Sequence, residues 1–217
     1  MAITHATHPG SGRQRTPTAD SDAKRERILR AAEALFAKQG YARTTIEQIV
    51  QALGVTKPFV YYYFRNKQEI FEVLSWRPAV ECFTALDFAE HDPRPAHEKA
   101  MLGLEQLIRA TIAHSPAAFF AYREPQAYRP EYLAEGRRLA NHFYARLCPL
   151  LEQGRAEGMF DFTETRVTAQ ALCSLPGFLF TWYRPDGRLP PDAMVAELMA
   201  LAARMVGLRK KPRRSRS

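Results

Sequence analysis

Cysteine is scarce in this sequence, and long apolar runs do not occur in it. The three cysteines, Cys82, Cys148 and Cys173, are far apart, and none forms a C-x-x-C pair. This spacing argues against a disulfide framework or a zinc site and favours reduced, buried thiols in a cytoplasmic protein. No stretch reaches the roughly 18 apolar residues of a membrane-spanning helix, and residues 1–20 lack the apolar core of a signal peptide, so we expect no membrane partner.

Catalytic motifs are lacking as well. The nearest catalytic-looking pairs are His97-Glu98 and His114-Ser115, and neither belongs to an H-E-x-x-H, G-x-S-x-G or phosphate-loop pattern. We therefore expect no catalytic residue, no metal and no cofactor. An enzyme is the first alternative to the interpretation developed below, and the absence of these motifs disfavours it.

Positive charge is in excess. The 217 residues carry a formal net charge of +8, and the sequence pI is about 9.6. This balance favours a polyanionic partner such as DNA. The composition predicts disorder at both ends of the chain, because residues 1–20 are rich in Thr, Ser, Pro, Gly and His and the tail 209–217 is mostly basic.

Between these ends the apolar residues repeat at helical spacing without β-alternation, which predicts an all-α fold. One face of the first helix is formed by Ile28, Ala31, Ala32, Leu35 and Phe36. Prolines predict interruptions further along. We expect Pro78 to kink or end one helix, Pro149 to interrupt another, and the Pro176-Gly177 pair to bend a third.

A helix-turn-helix is predicted at residues 45–64. Thr45 and Thr56 each provide an N-cap for a short helix, and Gly54 permits the tight turn between the two helices. Pro58 suits the first turn of the second helix, because a missing N–H costs nothing there. The N-terminal residues of that second helix would face the major groove of DNA.

A known family carries similar motifs. The tetracycline-repressor (TetR/AcrR) family has a DNA-binding signature that resembles YARTTIEQIVQALGVTKPFVYYYFRNKQEIFEVL, Tyr41–Leu74, and a first helix that resembles RERILRAAEALFAKQG, Arg25–Gly40. The resemblance covers roughly residues 24–76. It implies a DNA-binding regulator of transcription, most often a repressor, that acts as a cytoplasmic homodimer on an operator in double-stranded DNA.

The resemblance also implies which residues bind DNA. Thr45 would bond a phosphate, Lys57 would read guanine, and Lys67 would hold a second phosphate. Pro58 and Phe59 would contact a thymine methyl group. The full set of expected DNA-binding residues is Thr45, Thr56, Lys57, Pro58, Phe59, Tyr61, Tyr62 and Lys67.

The family pattern divides the chain into a DNA-binding domain at residues 21–75 and a helical domain at 76–208. The second domain would bind an effector and form the homodimer through its last two long helices, at about 164–183 and 191–206. Apolar residues on these helices suit a two-fold four-helix interface, and the same residues would equally suit the protomer's own core. They are Leu172, Leu175, Phe178, Leu179, Leu198, Leu201 and Met205.

An effector pocket is expected among apolar and aromatic side chains with a few polar groups. Arg123, next to Glu124, is the candidate partner for a carboxylate or phosphate. The stretch TWYRPDGRLP, at 181–190, resembles one found in family members that sense lipids or acyl-CoA thioesters, which implies an apolar or amphipathic effector. The expected ligand-binding residues are Met101, Leu104, Ile108, Phe119, Tyr122, Arg123, Tyr144, Phe178 and Trp182.

The family mechanism implies that effector binding shifts the fourth helix and releases the protein from its operator. An effector can do this only if it binds the two states with unequal affinity. The second alternative is a transcriptional activator, or a DNA-binding protein without a small-molecule effector. The aromatic-rich C-terminal half argues against a purely architectural role.

Overall fold

The computed structural model describes residues 19–184 and 186–209. Of the arm predicted at 1–20 and the tail predicted at 209–217, residues 1–18 and 210–217 lie outside this part. Within the described residues the secondary structure is helical, which confirms the all-α prediction. The helices are α1 (Ala19–Gln39), α2 (Ile46–Leu53), α3 (Lys57–Tyr63), α4 (Lys67–Phe83), α5 (Ala96–Ala113), α6 (Phe120–Arg123), α7 (Pro130–Ala156), α8 (Thr165–Ser174), α9 (Leu179–Trp182) and α10 (Pro191–Met205).

The chain forms two compact units, and the first of them is not contiguous in sequence. Within the described part, the first unit contains residues 19–80 and 114–137, and the second contains residues 81–113, 138–184 and 186–209. The family pattern placed a boundary at residue 75 and gave no sign that a later segment joins the N-terminal helices.

Aromatic side chains form the core of the first unit. Phe71 stacks on Phe120, with ring centroids 4.9 Å apart, and meets Phe36 edge to face, with centroids 5.2 Å apart. All three side chains are buried. Because Phe36 belongs to α1, Phe71 to α4 and Phe120 to α6, this cluster ties the two sequence segments of the unit together.

The second unit is built around α5. This helix packs against α10, which also packs against α8. Leu104, Leu107 and Ile108 are buried along α5, as the helical spacing of apolar residues predicted. Gly103 permits a close approach on the same helix, since a Cβ there would lie 2.0 Å from Cδ2 of Leu86.

Several predicted helix boundaries were wrong. Residues 19 and 20 belong to α1 and not to a disordered arm. Helix α4 does not end at Pro78 but continues to Phe83, and α7 is not interrupted at Pro149 but continues to Ala156. A proline removes only one backbone N–H, and packing of the flanking turns maintains the helix on both sides. The Pro176-Gly177 pair was expected to bend one helix at about 164–183, but it lies between two separate helices, α8 and α9.

A helix that spans a membrane must be both long and apolar. Among residues 19–184 and 186–209, no helix meets both requirements.

Candidate nucleic-acid interface

The predicted helix-turn-helix consists of α2, a tight turn and α3. Thr45 is the N-cap of α2, and its hydroxyl accepts a hydrogen bond from the Gln48 backbone N–H at 3.3 Å. The Gln48 side chain returns the bond by accepting from the Thr45 N–H at 2.9 Å. This reciprocal capping box fixes where α2 begins and confirms Thr45 as its cap.

Gly54 makes the turn possible. It ends α2 in the left-handed region, with φ at 64°, and its N–H bonds back to the carbonyls of Gln51 and Val50. A residue with a Cβ is strained in this conformation. The glycine therefore sets the direction in which α3 leaves α2.

Replacing Gly54 with alanine is expected to lower the free energy of unfolding by about 1 kcal/mol. The space around Gly54 would admit a Cβ, so the loss would come from backbone strain alone. Gly136 is the matched control, because it also has open space around it but lies inside α7. Gly136→Ala should raise the free energy of unfolding by up to about 1 kcal/mol. If urea denaturation gave the same change in the free energy of unfolding for Gly54→Ala and Gly136→Ala, strain at the turn would be excluded as the cause.

Helix α3 is anchored by two side chains and exposes the rest of its surface. Val60 is fully buried, and Phe64, just after the helix, is 1% exposed. The guanidinium of Arg25 on α1 lies 4.9 Å from the centroid of the Phe64 ring, which holds the end of α3 against α1. These contacts fix the helix through its inner side and leave its outer side available.

The outer side of α3 carries most of the residues predicted to bind DNA. Tyr61 is 48% exposed and Tyr62 is 67% exposed, which is unusual for tyrosine in a folded chain. The Tyr62 ring rests on that of Tyr63, with centroids 4.9 Å apart. At the start of the helix the exposed residues are Thr56, Lys57 and Pro58. The Thr56 hydroxyl makes no capping bond, although Thr56 occupies the N-cap position.

Lys67 has a different environment from the other predicted contacts. Its ammonium group donates to the carbonyls of Tyr41 and Thr44, at 2.7 and 2.8 Å, and lies 4.1 Å from the centroid of the Tyr41 ring. Partial burial lowers the pKa of this ammonium below its ordinary value, and nearby Glu124 opposes the shift. Lys67 thus braces the turn that leads into α2 and keeps one N–H for another acceptor.

A polar network that was not predicted joins α4 to the segment before α7. The Glu72 carboxylate is fully buried and accepts from the Arg129 backbone N–H at 2.9 Å and from the Arg129 guanidinium. The Tyr132 hydroxyl donates to the Glu72 carbonyl at 2.8 Å, and Ser75 bonds the Tyr128 hydroxyl at 2.6 Å. Only pairing of this kind makes a buried carboxylate tolerable.

Glu124 has a structural role in the first unit. One of its carboxylate oxygens accepts from the Tyr41 backbone N–H at 3.2 Å, and the other accepts from the Gln126 amide at 2.9 Å. Sequence reasoning had considered Glu124 beside Arg123 as a polar group near an effector. In the structure it holds the end of α1 in place, and no local sequence signal indicated this contact.

The residues predicted to bind an effector are distributed over both units. Phe119 and Arg123 belong to the first unit, where Phe119 is buried and Arg123 is exposed; the side chain of Tyr122 lies outside the described part. The second unit contains Met101, Leu104, Ile108, Tyr144, Phe178 and Trp182. Of this group, Leu104 and Ile108 are buried on α5, and Phe178 and Trp182 are 65% and 58% exposed.

A cleft of about 100 Å³ lies within the first unit, between α1, α4 and the turn at residues 114–117. Burial raises the pKa of the Glu33 carboxyl in this cleft, and a bond from the Ala117 N–H opposes the shift. None of the expected effector residues lines it. Its walls are formed by Glu26, Leu29, Arg30, Glu33, Val73, Leu74, Arg77, Pro78, His114 and Ala117.

The apolar residues of α8 to α10 separate into a buried set and an exposed set. Leu172, Leu179 and Leu198 are buried inside the protomer. The exposed set, with at least about a third of each side chain accessible, consists of Val167, Phe178, Trp182, Leu201, Met205 and Leu208. Exposed apolar side chains mark an interaction site where they form one contiguous patch.

A capped helix-turn-helix next to α1, followed by further helices, defines the class of helix-turn-helix regulatory proteins. The model of the family described as "Bacterial regulatory proteins, tetR family" matches residues 28–74, and that described as "Tetracyclin repressor-like, C-terminal domain" matches residues 93–206. The chain belongs to the TetR family of bacterial regulatory proteins. This confirms the resemblance seen in the sequence.

Individual relatives agree with this membership. The probable acrEF/envCD operon repressor of Escherichia coli K12 is 32% identical over 119 residues, which are 52% of this chain and 52% of the relative. The chain therefore spans about half the length of the curated relatives it matches.

Solved structures show the same fold. The TetR-family regulator PfmR of Thermus thermophilus has a TM-score of 0.73 at 23% identity and covers 85% of this chain and 100% of its own. AibR, solved in complex with isovaleryl coenzyme A and operator DNA, has a TM-score of 0.64 at 18% identity, covering 82% of this chain and 97% of its own. At these identities the likeness concerns the fold alone.

Proposed function

We propose that this protein is a transcriptional repressor that binds an operator as a homodimer and is released from it by a small effector. The observation that carries the proposal is the outer surface of α3. Tyr61, Tyr62 and the residues at the start of the helix are exposed, and Val60 and Phe64 anchor the helix on its buried side. A helix presented in this way can enter the major groove of DNA.

The proposed DNA contacts follow from the environment of each residue. Thr56 has a hydroxyl that no capping bond uses, and Lys57 and Pro58 stand beside it at the exposed start of α3. Tyr61 and Tyr62 extend from the same helix and can reach phosphates or base edges. Lys67 and the start of α2 at Thr45 would bond phosphates from the flank of the groove.

The proposed homodimer forms through α8, α9 and α10. Its support is the exposed apolar set on these helices, and Phe178 and Trp182 are the most prominent aromatic members. Aromatic residues of this size often dominate the energy of protein interfaces. We assign both residues to the dimer interface, since more than half of each side chain is exposed in the single chain.

The proposed effector is apolar or amphipathic, of the lipid or acyl-CoA type. The buried apolar side of α5, with Leu104 and Ile108, supports this chemistry, and AibR provides an example of the same fold with a coenzyme A thioester. Met101 and Tyr144 of the second unit stay candidates for the effector site, and the roles expected of Phe119, Tyr122 and Arg123 in the first unit stay predictions. Mass spectrometry of small molecules that copurify with the protein would identify the effector directly.

The proposal predicts a specific gel shift with the DNA upstream of the protein's own gene at moderate salt. Tyr62→Ala should weaken binding to every DNA sequence about tenfold, because a phosphate contact carries roughly 1 to 2 kcal/mol and does not depend on the base sequence. Gln153→Ala, a change of an exposed residue on α7, is the control and should bind as the wild type does.

Two outcomes would contradict the proposal. Failure of the wild-type chain to shift its upstream region more strongly than unrelated DNA would exclude an operator-binding regulator. If expression of a reporter gene under the operator fell when the protein was deleted, the protein would be an activator and not a repressor.

A further inference from the structure

Two charged residues of the helix-turn-helix form an ion pair on its exposed surface. The Lys57 ammonium at the start of α3 lies 2.5 Å from a carboxylate oxygen of Glu47 in the first turn of α2. Both side chains are at least half exposed, at 50% for Lys57 and 62% for Glu47. Lys57 was expected to read guanine, and Glu47 was not among the predicted DNA contacts.

The Glu47 carboxylate is strongly held in its charged form. The bond from Lys57 lowers its pKa to about 2, and bonds from its own backbone N–H and from the Thr45 side chain act in the same direction. One carboxylate therefore engages two residues that were expected to bind DNA, Thr45 and Lys57. Any contact that Thr45 or Lys57 makes with DNA therefore depends on the position of the Glu47 carboxylate.

A carboxylate on a surface that meets DNA has an energetic consequence. Phosphates repel it, so an unpaired Glu47 would weaken binding to any sequence. If Lys57 left Glu47 to bind a phosphate, the protein would gain one attraction and incur one repulsion. The pair is compatible with tight binding when both members stay together and the carboxylate accepts a hydrogen bond from DNA.

The base edges of the major groove offer such a donor. Cytosine presents its N4 amino group there, and the guanine paired with it presents two adjacent acceptors, O6 and N7. A carboxylate beside an ammonium matches this edge, with Glu47 accepting from cytosine and Lys57 donating to guanine. An A·T pair offers an amino donor as well, but it lacks two adjacent acceptors on one base for the ammonium.

We infer that Glu47 and Lys57 act as one unit that reads a C·G base pair in each half-site, which makes Glu47 a specificity-determining residue. The inference rests on the proposed operator binding and adds to it the identity of one base pair. It also implies that the pair contributes little to affinity for random DNA, since its two charges offset each other.

Selection of binding sites from DNA with randomised half-sites tests this inference on the full chain. The wild type should enrich one invariant C·G position in each half-site, and replacing that base pair should weaken binding about tenfold or more. Glu47→Ala, which removes both the charge and the hydrogen-bond acceptor, should reduce the discrimination at this position to less than about threefold and leave preferences elsewhere unchanged. Its affinity for random DNA should be equal or higher, because a negative charge has been removed.

Two controls separate specificity from folding and from general charge. Glu152→Ala removes the same charge from an exposed position of α7 and should keep the wild-type preferences. Glu47→Asp keeps the charge on a shorter side chain and should retain part of the C·G preference. Thermal melting of each variant confirms that α2 and α3 are still folded.

Unchanged base preferences in Glu47→Ala would overturn the inference while leaving operator binding intact. A lost preference that falls on an A·T pair would also overturn it. A wild-type chain that enriches no sequence would overturn the proposed function itself, and the inference with it.

Discussion

Replacing Glu72 with alanine is expected to lower the free energy of unfolding by about 3 kcal/mol. Glu72 is fully buried and accepts hydrogen bonds from the backbone and the guanidinium of Arg129. Its removal would leave those donors without their acceptor and open a cavity beside the Phe71 cluster. Because about a third of the Arg129 side chain reaches solvent, the loss should fall at the lower end of the range for buried ion pairs.

Chemical denaturation at equal protein concentration measures this loss, since the stability of a homodimer depends on concentration. The free energy of unfolding of Glu72→Gln should lie between those of Glu72→Ala and the wild type, because the amide oxygen can still accept a hydrogen bond from the backbone N–H of Arg129. Glu152→Ala changes an exposed residue, so its free energy of unfolding should stay within about 0.5 kcal/mol of the wild-type value. A Glu72→Ala protein as stable as the wild type would show that this network does not hold the first unit together.

Replacing Trp182 with aspartate is expected to raise the dimer dissociation constant at least about 100-fold. The aspartate would bring an unpaired charge into the proposed interface and remove its largest side chain. Operator affinity should fall by a similar factor, although the change lies in α9 and α2 and α3 are untouched. The reason is that each half-site contact depends on both DNA-binding domains being joined. Phe178→Asp should have the same effect.

Analytical ultracentrifugation and gel shifts measure the two effects on the same samples. Ala145→Asp places the same charge at an exposed position of α7 and should leave both the dimer and its operator affinity unchanged. A Trp182→Asp chain that sediments as a dimer would remove α9 from the interface. It would return Trp182 and Phe178 to the effector candidates.

Features encoded by neighbouring residues could be predicted from the sequence. The helix-turn-helix depends on residues only a few positions apart, so their spacing in the sequence indicates the motif. These residues are the N-cap Thr45, the left-handed Gly54 and the buried Val60. The spacing of apolar residues was sufficient to predict α1 and α5 for the same reason. The two prolines were misleading, because tertiary packing can maintain a helix across one missing hydrogen bond.

Contacts between distant residues could not be predicted. Glu72 and Arg129 are 57 positions apart, and nothing in either local sequence indicates that they meet. Lys67 was recognised as a conspicuous cation, but its carbonyl partners at Tyr41 and Thr44 depend on how α1 and α4 pack. The same holds for Glu47 and Lys57, because their approach depends on the angle between two helices.

The non-contiguous first unit has a consequence for how the chain acquires its structure. The Tyr41 backbone is bonded to Glu124, 83 positions later, and Phe36 and Phe71 are covered by Phe120. During synthesis the N-terminal helices cannot complete their core until residue 137 has left the ribosome. A fragment cut at residue 76 would lack that core, so exchanging the DNA-reading part between homologues requires two splice segments, 19–80 and 114–137.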